Sequence, residues 1–248
     1  MNIYDLPPVA ALLHAASAAV EAVASILTPL AGASATALTI VVVTLVLRTL
    51  LIPVGRSQVR AEVGRRRLAP KLAELRRRHR RSPERLRRET MALYAAEKVS
   101  PFSGLLPTLA QAPVVSLVYG LFTHPVIAGQ SNALLGQHLA GVPLGASLPS
   151  LVALGGTATV GGLLLFGGLL ALIAAAVVVG RRENRRWAPP PDPTAPAWSQ
   201  RIAGALSWMP LITVAFAAVV PLAATLYLAV TTVWTQVERA ILRRAILA

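Results

Sequence analysis

The sequence reads as an all-α integral membrane protein with five transmembrane helices, a cytoplasmic helical hairpin and an N-terminal interfacial amphipathic helix. Three observations lead there. The 248 residues are 55% hydrophobic and only 14% charged, whereas soluble domains carry about a quarter charged residues. Uncharged runs long enough to cross a bilayer recur along the chain. The 24 Lys and Arg residues are confined to a few segments: 15 in 56–98, five in 181–201, three in 239–244, and the isolated Arg48. Basic residues that cluster between apolar runs mark the cytoplasmic side of a membrane. With no cysteine in the chain, disulfides, thiolate metal sites and a lipidated cysteine are all excluded.

Residues 1–32 begin MNIYDLPP and lack the basic n-region of a secretory signal, so a retained start is expected. The alanine-rich pattern from Val9 to Leu27 is interrupted by His14 and Glu21 and closed by Pro29. An interfacial amphipathic helix is favoured over a sixth span. Residues 33–54 hold one charge, Arg48, and at about 1.5 Å per residue they cover a hydrocarbon core of roughly 30 Å.

Residues 55–98 then change solvent. From Arg56 onward, 15 basic residues face five glutamates, a net of 15 − 5 = +10. Val59, Val63, Leu68, Leu72, Leu75 and His79 recur at helical spacing, which predicts a first arm kinked at Pro70. Ser82 followed by Pro83 predicts an N-cap and the start of a second arm. The block is therefore a basic helical hairpin, open to three readings: anionic-lipid binding, ribosome or nascent-chain contact, or simple topological anchoring.

Residues 101–123 are uncharged and long enough for a second span despite Pro107 and Pro113, which membrane helices tolerate where neighbours satisfy the freed carbonyls. Residues 124–154 contain no Lys or Arg and read as an external loop with short helical pieces. His124 and His138 are loop histidines there rather than ligands. A third span fits 157–179, where Gly168, Ala171 and Ala175 offer a small-residue face for close helix contact. Residues 181–201 form a cytoplasmic Pro-rich loop. The stretch from Ile202 to Val237 is too long for one ordinary span. Splitting it at Pro221, into 203–219 and 221–237, keeps all basic segments on one face, with the N-terminus outside and the C-terminus in the cytoplasm. The last two spans are short, so local bilayer thinning is expected.

The stretch 89–122 carries Leu106, Pro107, Gln111 and Pro113 after a Val99-Ser100-Pro101 turn. Pro221, Leu226 and Tyr227 recur in the last helix, and Arg48 is followed by Leu51, Pro53 and Gln58. In these residues, over roughly 30–240, the chain resembles the YidC/Oxa/Alb membrane protein insertases. It departs from them at Leu222, Ala223, Leu228 and Thr232, and in its unusually arginine-rich hairpin.

An arginine near the centre of a lipid-facing helix costs at least about 2.5 kcal/mol. On position alone, Arg48 either snorkels to the cytoplasmic boundary or faces a polar cavity. The resemblance implies the second: a hydrophilic groove open to the cytoplasm, containing Arg48 and Gln111, with Thr44 and Thr232 as further polar neighbours. For the last three, a helix–helix hydrogen bond is the competing reading. Pro107, Pro113, Pro221 and Tyr227 would be structural motif residues. The resemblance further implies an insertase that moves client transmembrane helices into lipid without nucleotide hydrolysis. Nascent membrane proteins are its expected clients, and the ribosome, the Sec translocon and anionic lipids its candidate partners in a bacterial cell membrane. No nucleophile–base pair, phosphate loop or metal motif occurs in the sequence, so no catalytic residue, cofactor, metal or specific nucleic acid is expected. A small channel or transporter using Arg48 as its pore charge, and a membrane-tethered module binding RNA or anionic lipid, are the alternatives.

Overall fold

A computed structural model describes residues 7–97, 99–100, 105–127, 130–155, 157–188 and 197–247. Its contacts divide the chain into two compact units. The architecture is helical, as expected of an all-α membrane chain. Three helical stretches among the described residues are long and apolar enough to cross a membrane: Ala11–Leu50, Thr159–Trp187 and Gln200–Val219.

The first unit comprises 1–50, 112–178 and 210–235. Helix α1 (Pro7–Ala31) and helix α2 (Ala35–Leu50) are joined by a 3-10 turn, Gly32–Ser34. The reversal needs Gly32 at φ +52°, a conformation that a side chain would strain. Leu13 and Val20 of α1 are buried in one cluster with Ala37 and Ile40 of α2, while Leu12, Ile26 and Leu30 are exposed. Helix α2 closes at Leu50, and Leu51 adopts turn geometry before the next helix starts at Ile52. The first span therefore does not run unbroken over 33–54. Pro53 has no N–H to give to the carbonyl one turn back, which accounts for the break.

Helix α5 (Leu105–Thr123) leads into a loop more ordered than short helical pieces alone. Strand β1 (Val126–Ile127) pairs antiparallel with β2 (Gln130–Ser131), in register Val126↔Ser131 and Ile127↔Gln130. After α6 (Ala133–Gly136), β3 (His138–Leu139) pairs antiparallel with β4 (Val142–Pro143). The tip residues Ala140 and Gly141 both have positive φ, the mark of a tight two-residue hairpin turn. Asn132 holds this loop to α5. Its buried amide nitrogen donates to the carbonyls of Leu121 (2.8 Å) and His124 (3.0 Å), and its oxygen accepts from the Leu134 N–H. Helix α7 (Leu148–Leu154) begins with a capping box between Ser147 and Ser150.

Helix α8 runs from Thr157 to Trp187 and α10 from Ile212 to Val219. Gly168, Ala171 and Ala175 are exposed, correcting the small-residue packing face: α8 packs instead through Gly162, Phe166, Ile173 and Val177. The helix breaks at Val220 and Pro221, and α11 (Leu222–Leu247) begins. Its orphan N–H groups are met by the loop: Leu222 N–H donates to Ala146 O (2.8 Å) and Ala223 N–H to Leu144 O (2.9 Å). Leu144, Leu222, Ala223 and Ala224 are fully buried there. A helix end buried in this way requires such partners.

The second unit comprises 51–111, 179–209 and 236–248. Helix α3 (Ile52–Arg78) continues through Pro70, and α4 (Pro83–Ala96) follows a short turn. Val59, Val63 and Leu68 are buried, whereas Ser82 makes no side-chain cap despite preceding Pro83. The arms are joined by Lys71–Glu97 and by His79–Glu89, the latter at 3.3 Å. The segment 181–201 is not a loop throughout. Helix α8 continues to Trp187 and α9 (Ala197–Leu206) starts before its end; residues 189–196 lie outside the description. The stretch 203–219 is likewise broken, since α9 ends at Leu206 and a 3-10 turn, Met209–Leu211, precedes α10. Helix α11 extends well beyond 237.

Candidate functional site

Helix α2 carries five polar side chains, Thr36, Thr39, Thr44, Arg48 and Thr49. Thr36, Thr44 and Arg48 fall on one stripe that drifts slowly around the helix, with Ile40 completing the series. Thr44 is 1% exposed and its hydroxyl donates to Ile40 O at 2.6 Å; Thr39 and Thr49 bond back to Ala35 O and Leu45 O, both at 2.8 Å. Arg48 sits in the last turn, where a cation complements the helix macrodipole. It is half-buried. Among the described residues no ion pair reaches it. Among the described residues Thr44 makes no helix–helix bond; its hydroxyl hydrogen stays within α2.

Thr232 behaves the same way on α11, donating to Leu228 O at 2.7 Å. At two other threonines of α11 the pattern differs. Thr225, fully buried, donates across the Pro221 break to Ala217 O at 2.7 Å, and the Thr231 hydroxyl oxygen is buried without a hydrogen-bond partner among the described residues. Pro221 stands at the break and Tyr227 is buried, its ring centroid 6.0 Å from that of Phe122. Arg48, Thr44 and Thr232 belong to the first unit and Gln111 to the second. Gln111, Pro107 and Pro113 lie on the backbone of α5, but their side chains fall outside the description. No hydrogen bond joins Arg48, Thr44 and Thr232 to one another among the described residues.

A family model described as "60Kd inner membrane protein" matches residues 27–247. The chain belongs to the 60Kd inner membrane protein family. It is 35% identical over 86 residues to a membrane protein insertase YidC of Clostridium perfringens (strain 13 / Type A), covering 35% of this chain and 36% of that protein. Proteins of the same name from Histophilus somni (strain 129Pt) and Pasteurella multocida (strain Pm70) are 39% identical over 89 residues, covering 36% of this chain and 16% of each relative. The match therefore spans little more than a third, or less, of these relatives' own length.

The 60Kd inner membrane protein match includes every candidate residue on α2, α5 and α11, and most of α1 precedes it. It also includes a cluster that sequence reasoning missed. In the second unit Arg243, 4% exposed, donates through Nη2 to Glu62 Oε1 (2.6 Å) on α3 and to Asn184 Oδ1 (2.7 Å) on α8. Its Nε is buried without a partner among the described residues. The Trp187 ring takes Arg243 at 5.2 Å and Arg66 at 4.8 Å, and the indole packs against Val59, Val63 and Leu242. Two glycines admit α11: a Cβ on Gly55 would overlap the Glu238 carboxylate, and one on Gly180 the Gln236 amide. Glu62 and Arg243 are 181 positions apart, so no local pattern announces the pair. The two glycines beside charged segments were the only available hint. Among the described residues no group of three His, Asp or Glu could hold a metal.

Proposed function

We propose that this chain inserts client transmembrane helices into the bilayer through a hydrophilic, cytoplasm-open groove containing Arg48, without hydrolysing nucleotide. The observation that carries the reading is Arg48 itself: a half-buried arginine at the end of an apolar helix, with no acidic partner among the described residues, in a chain of this family. A guanidinium held in this way attracts the carboxylates of a client's polar terminal segment and lowers the cost of their dehydration. The client's apolar helix then leaves sideways into lipid, driven by its own transfer free energy.

In this reading five spans put the N-terminus outside and the C-terminus in the cytoplasm of a bacterial cell. The hairpin α3–α4 gathers clients at the cytoplasmic surface. Its arginines add about 1 kcal/mol of attraction each near anionic lipid. Ribosome and Sec translocon are further partners, and Gln111 and Thr232 line the groove with Thr44. The relatives' name, membrane protein insertase, supports the same reading.

The test is membrane insertion of clients with acidic N-terminal tails into proteoliposomes by Arg48→Ala, Arg48→Glu and Arg48→Lys variants. Insertion is expected to fall in the first two and to survive in the third. Equal efficiency in all three would remove the charge role.

A further inference from the structure

Helix α9 and the end of α8 lie together in the second unit. On α9, Trp198, Ile202 and Leu206 recur every four residues and are 66%, 50% and 54% exposed, forming one bulky apolar stripe that no part of this unit covers. Arg201 flanks the stripe, and Gln200 and Gly204 fall on the opposite side of the helix.

The depth of this helix can be read from Arg181. Its guanidinium stacks on the Trp208 ring at 3.5 Å, and its Nε donates to Ser207 Oγ at 3.2 Å. Ser207 Oγ in turn donates to Gly204 O at 2.6 Å, closing the end of α9. Arg181 opens the basic run at the end of α8, where Arg182, Arg185 and Arg186 are exposed, the last bonded to Glu183 at 2.8 Å. An arginine and a tryptophan that share one contact belong at the boundary between hydrocarbon and water. The Ser207–Trp208 break therefore marks headgroup depth, and α9, which precedes it, starts on the headgroup side. Bulky apolar side chains at that depth find cover by dipping into the acyl boundary, while neighbouring arginines meet lipid phosphates.

We propose that α9 lies flat in the headgroup layer of an anionic leaflet, its Trp198–Ile202–Leu206 stripe turned into the membrane and Arg182, Arg185, Arg186 and Arg201 on the phosphates. The partner is the lipid surface itself, and the proposal does not depend on client insertion. It differs from reading Gln200–Val219 as one continuous crossing. A crossing helix would sink by about 1.5 Å per residue, or about 12 Å between positions 198 and 206.

Because the chain has no cysteine, single spin labels can be installed directly in the whole 248-residue chain. Trp198→Cys, Ile202→Cys, Leu206→Cys and Gln200→Cys variants are reconstituted in vesicles of equal parts phosphatidylcholine and phosphatidylglycerol, and in phosphatidylcholine alone. Label depth is read from the relative accessibility to oxygen and to a polar nickel complex. Labels at 198, 202 and 206 are expected at one shared shallow depth, with 200 in water, and all three closer to water when phosphatidylglycerol is omitted. Replacing Arg182, Arg185 and Arg186 together by Glu is expected to cause the same shift in the anionic vesicles. A label at Leu164 on α8, 73% exposed, should stay deep in every variant and reports that the chain has folded into the bilayer. Depth that increases steadily from 198 to 206, water exposure at all four sites, spin coupling between two chains, or identical depths in both lipids would each overturn the proposal.

Discussion

The two units satisfy their buried polar groups in opposite ways. In the first, Thr39, Thr44 and Thr49 of α2, and Thr232 and Thr235 of α11, bond to carbonyls of their own helix. In the second, Arg243, Glu62, Asn184, Arg181 and Ser207 bond between helices. The difference follows from the surroundings each sequence suits. A hydroxyl in an apolar segment closes on the carbonyl one turn back when no partner is near. Long cationic side chains beside water have the reach to cross from one helix to another. Helices in the first unit are thus held by shape and small residues, and those in the second by named pairs.

Arg243 gives the largest expected effect. Arg243→Ala leaves Glu62 and Asn184 without their shared donor and should cost about 3 kcal/mol, the low end for breaking a buried pair, because Glu62 is 33% exposed. Arg243→Met strands the same two partners but keeps an apolar stem beside Trp187, and should cost less than Ala by the packing that Ala forfeits. Chemical unfolding in detergent, followed by the fluorescence of Trp187, compares them. If Ala and Met were equally damaging, the hydrogen bonds to Glu62 and Asn184, and not packing, would be the lock's main contribution.

Asn132, like Thr225, is an exception in the first unit, since its amide bonds outside its own segment. Asn132→Ala should cost about 2 kcal/mol by stranding the carbonyls of Leu121 and His124. Asn132→Asp should fail nearly as badly, because it removes both donors. Thermal unfolding in nanodiscs measures both variants. A loss below that of an exposed threonine would mean that the loop is held by its apolar residues alone.

The smallest effect belongs to Thr44→Val, expected within about 1 kcal/mol of the parent because, among the described residues, the hydroxyl bonds to Ile40 O of its own helix alone. That makes it the cleanest probe of the groove. Insertion lost with stability intact would tie the Thr44 oxygen to the client path, and both unchanged would leave it a helix-internal group.

Helical character was legible because the apolar runs are long and the break at Pro221 is chemically explicit. The charge on Arg48 was legible as an interruption of hydrophobicity. Helix ends were less so. Arg and Glu are good helix formers, so nothing in RRENRR told α8 to stop at the edge of its apolar run, and it continues to Trp187. The strands of the loop could not be read from residue pairs two long. They owe their form to the helix end they cap and to Asn132. The Arg243 cluster was invisible for a related reason: Arg243, Glu62 and Asn184 look like ordinary surface polar residues until the helices meet.

The loop carbonyls of Leu144 and Ala146 have one more consequence for α11. They grip its first two N–H groups, so the helix hangs from a fixed hook. Tyr227 and Thr232 then lie at set distances along the helix from that hook, counted at about 1.5 Å per residue. The loop is the zero mark from which α11 is measured.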